Sequence, residues 1–352
     1  MAMADTRERA HANSFDLLRL FAAALVVWSH QHALLGLPEP AVASLNTSFG
    51  GLGVFIFFSI SGYLNTLSIA RHNSLQTFLI NRALRIYPAL VACVLFTVVL
   101  GICVATDLHA YLGPELISYV VKNTTLFFGF QGGAPGVFEA NALPQALNGS
   151  LWTLKYEVKL YVALAAVFAV CRYSLLAPIF LFAALAVTLT LMHLGVLEPY
   201  QGDQYWVQFS TLFLAGSAVA SIEILAGTPI AIVSLVLSAA IVAALGNQFL
   251  ARELLLTLFI ITAGRVQLPR WFQPPIDLSY STYLYAFPVQ QTAALYTRDF
   301  WAAMAISTSV ILALATISVL LIERPALRLK GKATSMSVAS HARAALRRLT
   351  AE

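Results

Sequence analysis

Charge is what this sequence has least of. Its 21 Lys and Arg and 16 Asp and Glu make up 11% of 352 residues, where a soluble domain carries about 25%. With 59% hydrophobic residues and a mean hydropathy of +0.78, no single soluble core could absorb the apolar surface. The implied fold class is all-α: a polytopic integral-membrane helical bundle. Cysteine is nearly missing too. Cys93, Cys103 and Cys171 lie in apolar segments without pairing or ligand spacing, which excludes a disulfide framework or a metal cluster and leaves them as small packing residues. No Gly-x-Ser-x-Gly elbow or Ser/His/Asp order is present, so a seryl-enzyme intermediate is not expected. Ser61, Gly62 and Tyr63 read as close helix packing. No internal repeat suggests the inverted halves of a transporter. No aromatic interleaving or folded basic module accompanies the positive charge, which excludes nucleic acid as a partner.

Long apolar runs are present in number. Windows of about 20 residues give ten candidate spans: 15–36, 50–70, 85–106, 151–171, 174–194, 206–223, 229–246, 250–265, 276–296 and 300–322, the eighth short. The first is too long for a signal-peptide core, and no small-residue cleavage site follows it. Loop charge sets the orientation. Arg7 and Arg9 precede the first span, Arg71, Arg82 and Arg85 fall between the second and third, Arg172 follows the fourth, and Arg265 and Arg270 follow the eighth. Arg324, Arg328, Lys330, Lys332, Arg343, Arg347 and Arg348 follow the tenth. The opposite loops 37–49 and 195–205 carry no Lys or Arg, and 107–150 carries only Lys122. Both termini are therefore expected in the cytoplasm. Residues 1–330 form the transmembrane domain. Residues 331–352 form a basic, poorly ordered tail facing anionic lipid. The stretch ELISYVVKNTTLFFGF within 107–150 reads as an interfacial helix.

Against this background the few ionisable residues stand out. Holding one in hydrocarbon costs roughly 2.5–3.5 kcal/mol on insertion scales. Arg19 and His30 share the first span. Eleven residues at about 1.5 Å each set them roughly 16 Å apart on one face, like the wall of a site. His30 is either a satisfied buried imidazole or a general base, its ordinary pKa of about 6.5 suiting proton removal from a hydroxyl. His32, two residues on, faces elsewhere. Arg19 either snorkels to the cytoplasmic surface or orients the site or an anionic donor. Arg82 and Arg85, three apart, share a helical face. They are topology anchors or a basic pair for phosphates, and Pro88 is expected near a helix start. Glu157 is either paired with Lys155, Lys159 or an Arg, or serves the site. Asp277 reads as a helix cap. Glu323 and Arg324 are expected to close the last helix before Pro325.

Five patterns, in order across nearly the whole chain, resemble the membrane-bound acyltransferase-3 family of surface-polysaccharide O-acetylases. They are FDLLRLFAAALVVWSH with its Arg and His, GVFIFFSISGYL at 53–64, the Arg-x-x-Arg-x-x-Pro of NRALRIYPAL at 81–90, GSLWTLKYEVKLY at 149–161, and LSYSTYLYAFPV at 278–289. Ala286 and Phe287 stand where that late helix often carries His, and Lys155 and Lys159 flank Glu157. The resemblance implies an O-acyltransferase of the bacterial inner membrane that moves an acetyl group from acetyl-coenzyme A to a hydroxyl of a glycan or lipid-linked sugar. His30 would be its general base, with Glu157 orienting it or holding the acceptor. Arg19, Arg82 and Arg85 would bind the donor, and no metal would take part. The alternative is a transporter or flippase of acyl groups or lipid-linked saccharides that performs no chemistry.

Overall fold

The computed structural model describes residues 14–72, 74–272 and 274–329. The tail 331–352, and Arg7 and Arg9, lie outside the described residues. Each of the ten apolar segments is helical. The elements are α1 (Phe15–Leu34), a two-residue hairpin β1 (Ala41–Val42) and β2 (Thr47–Ser48), α2 (Phe49–His72), α3 (Leu75–Val104), α4 (Leu108–Tyr111) and α5 (Pro114–Thr125). There follow a 3₁₀ turn at Gly149–Thr153, α6 (Leu154–Val170), α7 (Leu176–His193), α8 (Gln204–Ala226), α9 (Thr228–Ala244), α10 (Gln248–Arg265), α11 (Ser279–Tyr296) and α12 (Phe300–Ser318). Five helices, α2, α3, α7, α8 and α12, are long and apolar enough to cross a membrane; α9 is apolar but shorter.

Successive helices run back and forth between two ends of the bundle, and the contacts between loops separate those ends. At the first, Ser14 Oγ donates to Val266 O, Leu75 N donates to Tyr173 Oη, and Arg265 pairs with Glu223 at 2.9 Å. At the second, Arg252 donates to Ser44 O, Arg298 donates to Ala140 O, and Asn141 Nδ2 donates to Gln291 O. Helix α2 lies at the centre: 72% of its apolar window is buried, against 22% for α7 and 28% for α12. It packs on α1, α8 and α10. The close approach of α2 and α8 requires glycine on both sides. A Cβ at Gly62 would lie 1.9 Å from Phe213 O, and one at Gly216 would lie 2.4 Å from Ser59 O. Without a hydrophobic force between helices in lipid, such backbone contact is what holds them.

Two helix boundaries differ from expectation. Helix α3 starts at Leu75, where the Ser74 hydroxyl accepts from Thr77 N, so Pro88 sits inside a 30-residue helix instead of opening one. The last helix does not stop before Pro325. It widens into a π turn at Val319–Glu323 and continues to Leu329. Proline has no N–H to return to the preceding turn, and the π turn spans that turn. Within 107–150 the stretch read as a helix does form one, α5, with Leu116, Tyr119 and Asn123 buried and Ile117, Val121, Phe127 and Phe128 exposed on and just beyond it.

Candidate active site

Two cavities lie end to end inside the bundle. The first, about 80 Å³, opens toward the first end and is lined by Arg19, Arg82, Arg85, Ser61, Glu157 and Tyr161 among others. The second, about 380 Å³, lies toward the second end and holds His30, Glu39, Trp152, Tyr205, Gln208 and Phe209. Val54 and Tyr283 belong to both walls. The spacing of Arg19 and His30 on α1 therefore places one residue in each cavity.

The three arginines differ in what they already hold. Arg85 is engaged: Nη2 pairs with Asp277 Oδ2 and Nη1 with Glu323 Oε2 at 3.1 Å. Glu323 is 2% exposed and also accepts from Ser281 Oγ at 2.5 Å. Asp277 also accepts, through Oδ1, from Ser279 N at 3.0 Å just ahead of α11, whose N-cap position is Leu278 and not the Asp277 expected there. A half-buried cation with two carboxylates is compensated and has little charge left to offer. Arg82 is not: among the described residues it has no ion-pair partner, its Nε makes no hydrogen bond, and its guanidinium lies 5.9 Å from the Phe78 ring. Arg19 pairs with Asp16 at 3.2 Å, one helical turn away and half exposed, a contact of little strength. The open cationic groups of the first cavity are thus Arg82 and Arg19.

Glu157 shares this cavity with Arg82, away from His30. Its Oε1 accepts from Tyr161 Oη and, at 3.2 Å, from Ser61 Oγ. Among the described residues no ion pair joins it to Lys155 or Lys159; Lys155 Nζ sits 4.6 Å from the Tyr156 ring. Ser61 is thus a wall residue of the cavity, beyond the packing role its neighbour Gly62 fills.

His30 is half-buried, its ring edge-on to Phe287 at 5.3 Å, and its Nδ1 is buried without a hydrogen-bond partner. His32 lies apart, against Phe300 at 4.5 Å, with Nδ1 donating to Trp28 O. One carboxylate that sequence reasoning missed shares the cavity with His30: Glu39, in the loop after α1, accepts from Ser29 Oγ. Its local sequence, Leu-Pro-Glu-Pro, carries no signal beyond a turn. Glu253, 2% exposed on α10, accepts from Gln208 Nε2 at 2.9 Å and so fixes another wall residue that no motif marks.

The turn before α6 links the two cavities. Asn148 is fully buried, donates to Leu284 O at 2.9 Å and accepts from Ser150 N. The turn it holds sends Trp152 into the second cavity and Thr153, Leu154 and Glu157 into the first. That explains why a short Ser-Leu-Trp-x-Leu-x-x-Glu pattern carries so much of the site. Among the described residues no cluster of three or more His, Cys, Asp or Glu could hold a metal ion.

The chain is similar to the "O-acetyl transferase" of Shigella phage Sf6, 29% identical over 330 residues that span 89% of this chain and 95% of the relative. It is 28% identical to "Nodulation protein 10" of Rhizobium leguminosarum bv. viciae, over 94% of this chain and 97% of the relative. No solved structure matches. The model of the acyltransferase-3 family, described as an acyltransferase domain, matches residues 12–323. A match over nearly the whole chain, including both cavities, shows that the protein belongs to the acyltransferase-3 family and is an acyltransferase enzyme.

Proposed function

We propose that this is an integral-membrane O-acyltransferase of the bacterial inner membrane, with ten crossings and both termini in the cytoplasm. It would move an acetyl group from acetyl-coenzyme A to a hydroxyl of a glycan or lipid-linked sugar. The observation that carries the reading is the pair of cavities meeting at Val54 and Tyr283. One offers Arg82, which has no ion-pair partner among the described residues, and Arg19, whose pair with Asp16 is weak, at the arginine-rich end of the bundle, as a phosphate-bearing donor needs. The other offers an imidazole among Trp152, Tyr205 and Phe209, with Glu39 and Gln208 as polar wall groups. Flat aromatic faces beside hydrogen-bonding groups suit the amphipathic faces of a sugar ring. The printed name of the phage relative, an O-acetyl transferase, supports acetyl as the group and oxygen as its destination.

Transfer needs one base and alignment. The acceptor hydroxyl gives its proton to His30 as its oxygen attacks the thioester carbonyl. The resulting oxyanion collapses, the carbon–sulfur bond breaks, and the coenzyme A thiolate takes the proton back as a thiol. Glu39 faces the imidazolium that forms between these steps. Arg82, with Arg19, holds the donor phosphates, while Arg85 keeps α3, α11 and α12 together. Glu157, at the inner reach of the donor cavity, positions the donor through Tyr161 and Ser61.

The test uses membranes from cells with and without the chain, supplied with acetyl-coenzyme A labelled in the acetyl group. Label appearing in glycan or glycolipid, removable by mild alkali as an ester and absent when His30 is Ala, supports the reading. Label that stays in coenzyme A, with the folded protein present, rejects acetyl-coenzyme A as the donor.

A further inference from the structure

We propose that Val54 and Tyr283 form a partition between the two cavities that sets the length of the acyl group passed to the acceptor, favouring two carbons over longer chains. The inference rests on the donor and acceptor assignment above. Both side chains belong to both walls, and both are at most 7% exposed, so any group moving from the arginine side to His30 must go past them.

Neither residue can easily withdraw. The Tyr283 hydroxyl donates to Ser150 O at 2.5 Å, and the Thr153 hydroxyl donates to it at 2.6 Å. Its ring stands edge-on to Phe57 at 5.7 Å. The turn that supplies Ser150 and Thr153 is itself held by buried Asn148. Val54 follows Gly53, where a Cβ would lie 2.5 Å from Ala22 O. That contact presses α2 onto α1 at this level and leaves Val54 no room to move back.

Space on the donor side is short. The first cavity has about 80 Å³, and its inner reach is walled by Val54, Phe57, Phe58 and Leu154. A methyl on the reacting carbonyl fits there. Each further methylene must displace Val54 or the Tyr283 ring, and an overfilled, well-packed site resists such insertion. The acceptor cavity, at about 380 Å³, imposes no such limit.

The experiment compares labelled acetyl-, propionyl-, butyryl- and hexanoyl-coenzyme A in inverted membrane vesicles from cells expressing the chain, reading label esterified to vesicle acceptor. The quantity is the butyryl-to-acetyl ratio within one preparation, from which the amount of folded protein cancels. In the wild type the rate should fall roughly tenfold or more with each added carbon. Val54→Ala should raise the ratio at least about tenfold. Tyr283→Phe, which keeps the ring but frees it from Ser150 and Thr153, should raise it as well, and Val54→Leu should lower it. A wild-type enzyme that accepts butyryl as readily as acetyl overturns the proposal. So does an unchanged ratio in both Val54→Ala and Tyr283→Phe while acetyl is still transferred. If the wild type esterifies label from none of the four donors, the donor assignment itself falls and takes the partition with it.

Discussion

His30 keeps a buried Nδ1 with no partner, so removing the ring breaks no hydrogen bond there and leaves only a small void beside Phe287. His30→Ala should therefore abolish acyl transfer while the solubilised protein melts within a few degrees of wild type. Transfer at the wild-type rate by folded variant would remove the histidine from the chemistry. Arg82 and Arg85 should separate in the opposite way. Arg82→Ala should raise the Michaelis constant for acetyl-coenzyme A about tenfold or more with little loss of stability, since no ion pair breaks. Arg85→Ala leaves Asp277 and buried Glu323 without their cation, a change that costs about 3–5 kcal/mol when a buried pair loses one member. Its first symptom should be low yield and a lowered melting temperature, both measurable before any assay. Equal thermal stability of the two variants would contradict this division. The sequence could not make it. The two arginines have the same type, spacing and face, and the carboxylates that distinguish them lie 192 and 238 residues away from Arg85. His30 was legible because an imidazole in an apolar run is conspicuous locally. Glu39 was not, because its relation to His30 depends on a loop folding back.

At the scale of elements, the ten apolar windows coincide with ten of the twelve helices described, because each of these lies in a continuous apolar run, and five of them are long and apolar enough to cross a membrane. Their ends were less legible. Helix α3 begins ten residues early because Ser74 caps it and a proline inside a helix packed against neighbours is tolerated. The last helix passes Pro325 through a π turn that no propensity marks. The α2–α8 contact was half visible, as a small-residue stretch at Ser61-Gly62, but its reciprocal partner Gly216 was not. Gly62→Ala puts a methyl 1.9 Å from Phe213 O, closer than any real contact, so α2 and α8 must separate. Because α2 carries Val54, Phe57, Phe58 and Ser61 into the first cavity, this variant should lose both folded yield and activity. Ala substitution at exposed Leu237, on α9 away from the cavities, should lose neither. Size-exclusion profiles in detergent would compare them.

For the whole molecule, the quantity that decides the proposed reaction is which end faces the cytoplasm, where coenzyme A is found. Arg71, Arg82, Arg85, Arg172 and Arg265 gather at the first end. The second carries Lys122, Arg252 and Arg298, and the last two are tied to backbone carbonyls of loops far away in the chain, Ser44 O and Ala140 O. That excess is the bias that orients membrane proteins, and it is the same end at which the donor cavity opens. Single cysteines can test it in a background with Cys93, Cys103 and Cys171 replaced. Ser74 is a poor site because its hydroxyl caps α3, but exposed Gln76, two residues on, and exposed Gln201, in the loop before α8, leave no cap unmade. A thiol reagent that cannot cross the inner membrane should modify Gln201→Cys in intact cells, after outer-membrane permeabilisation where there is one, and Gln76→Cys only after lysis. The opposite pattern would put Arg82 and Arg19 outside, where no coenzyme A could reach them. His30 would then face the donor's compartment. The direction of transfer across the partition would have to reverse, and with it the assignment of the aromatic cavity to the sugar.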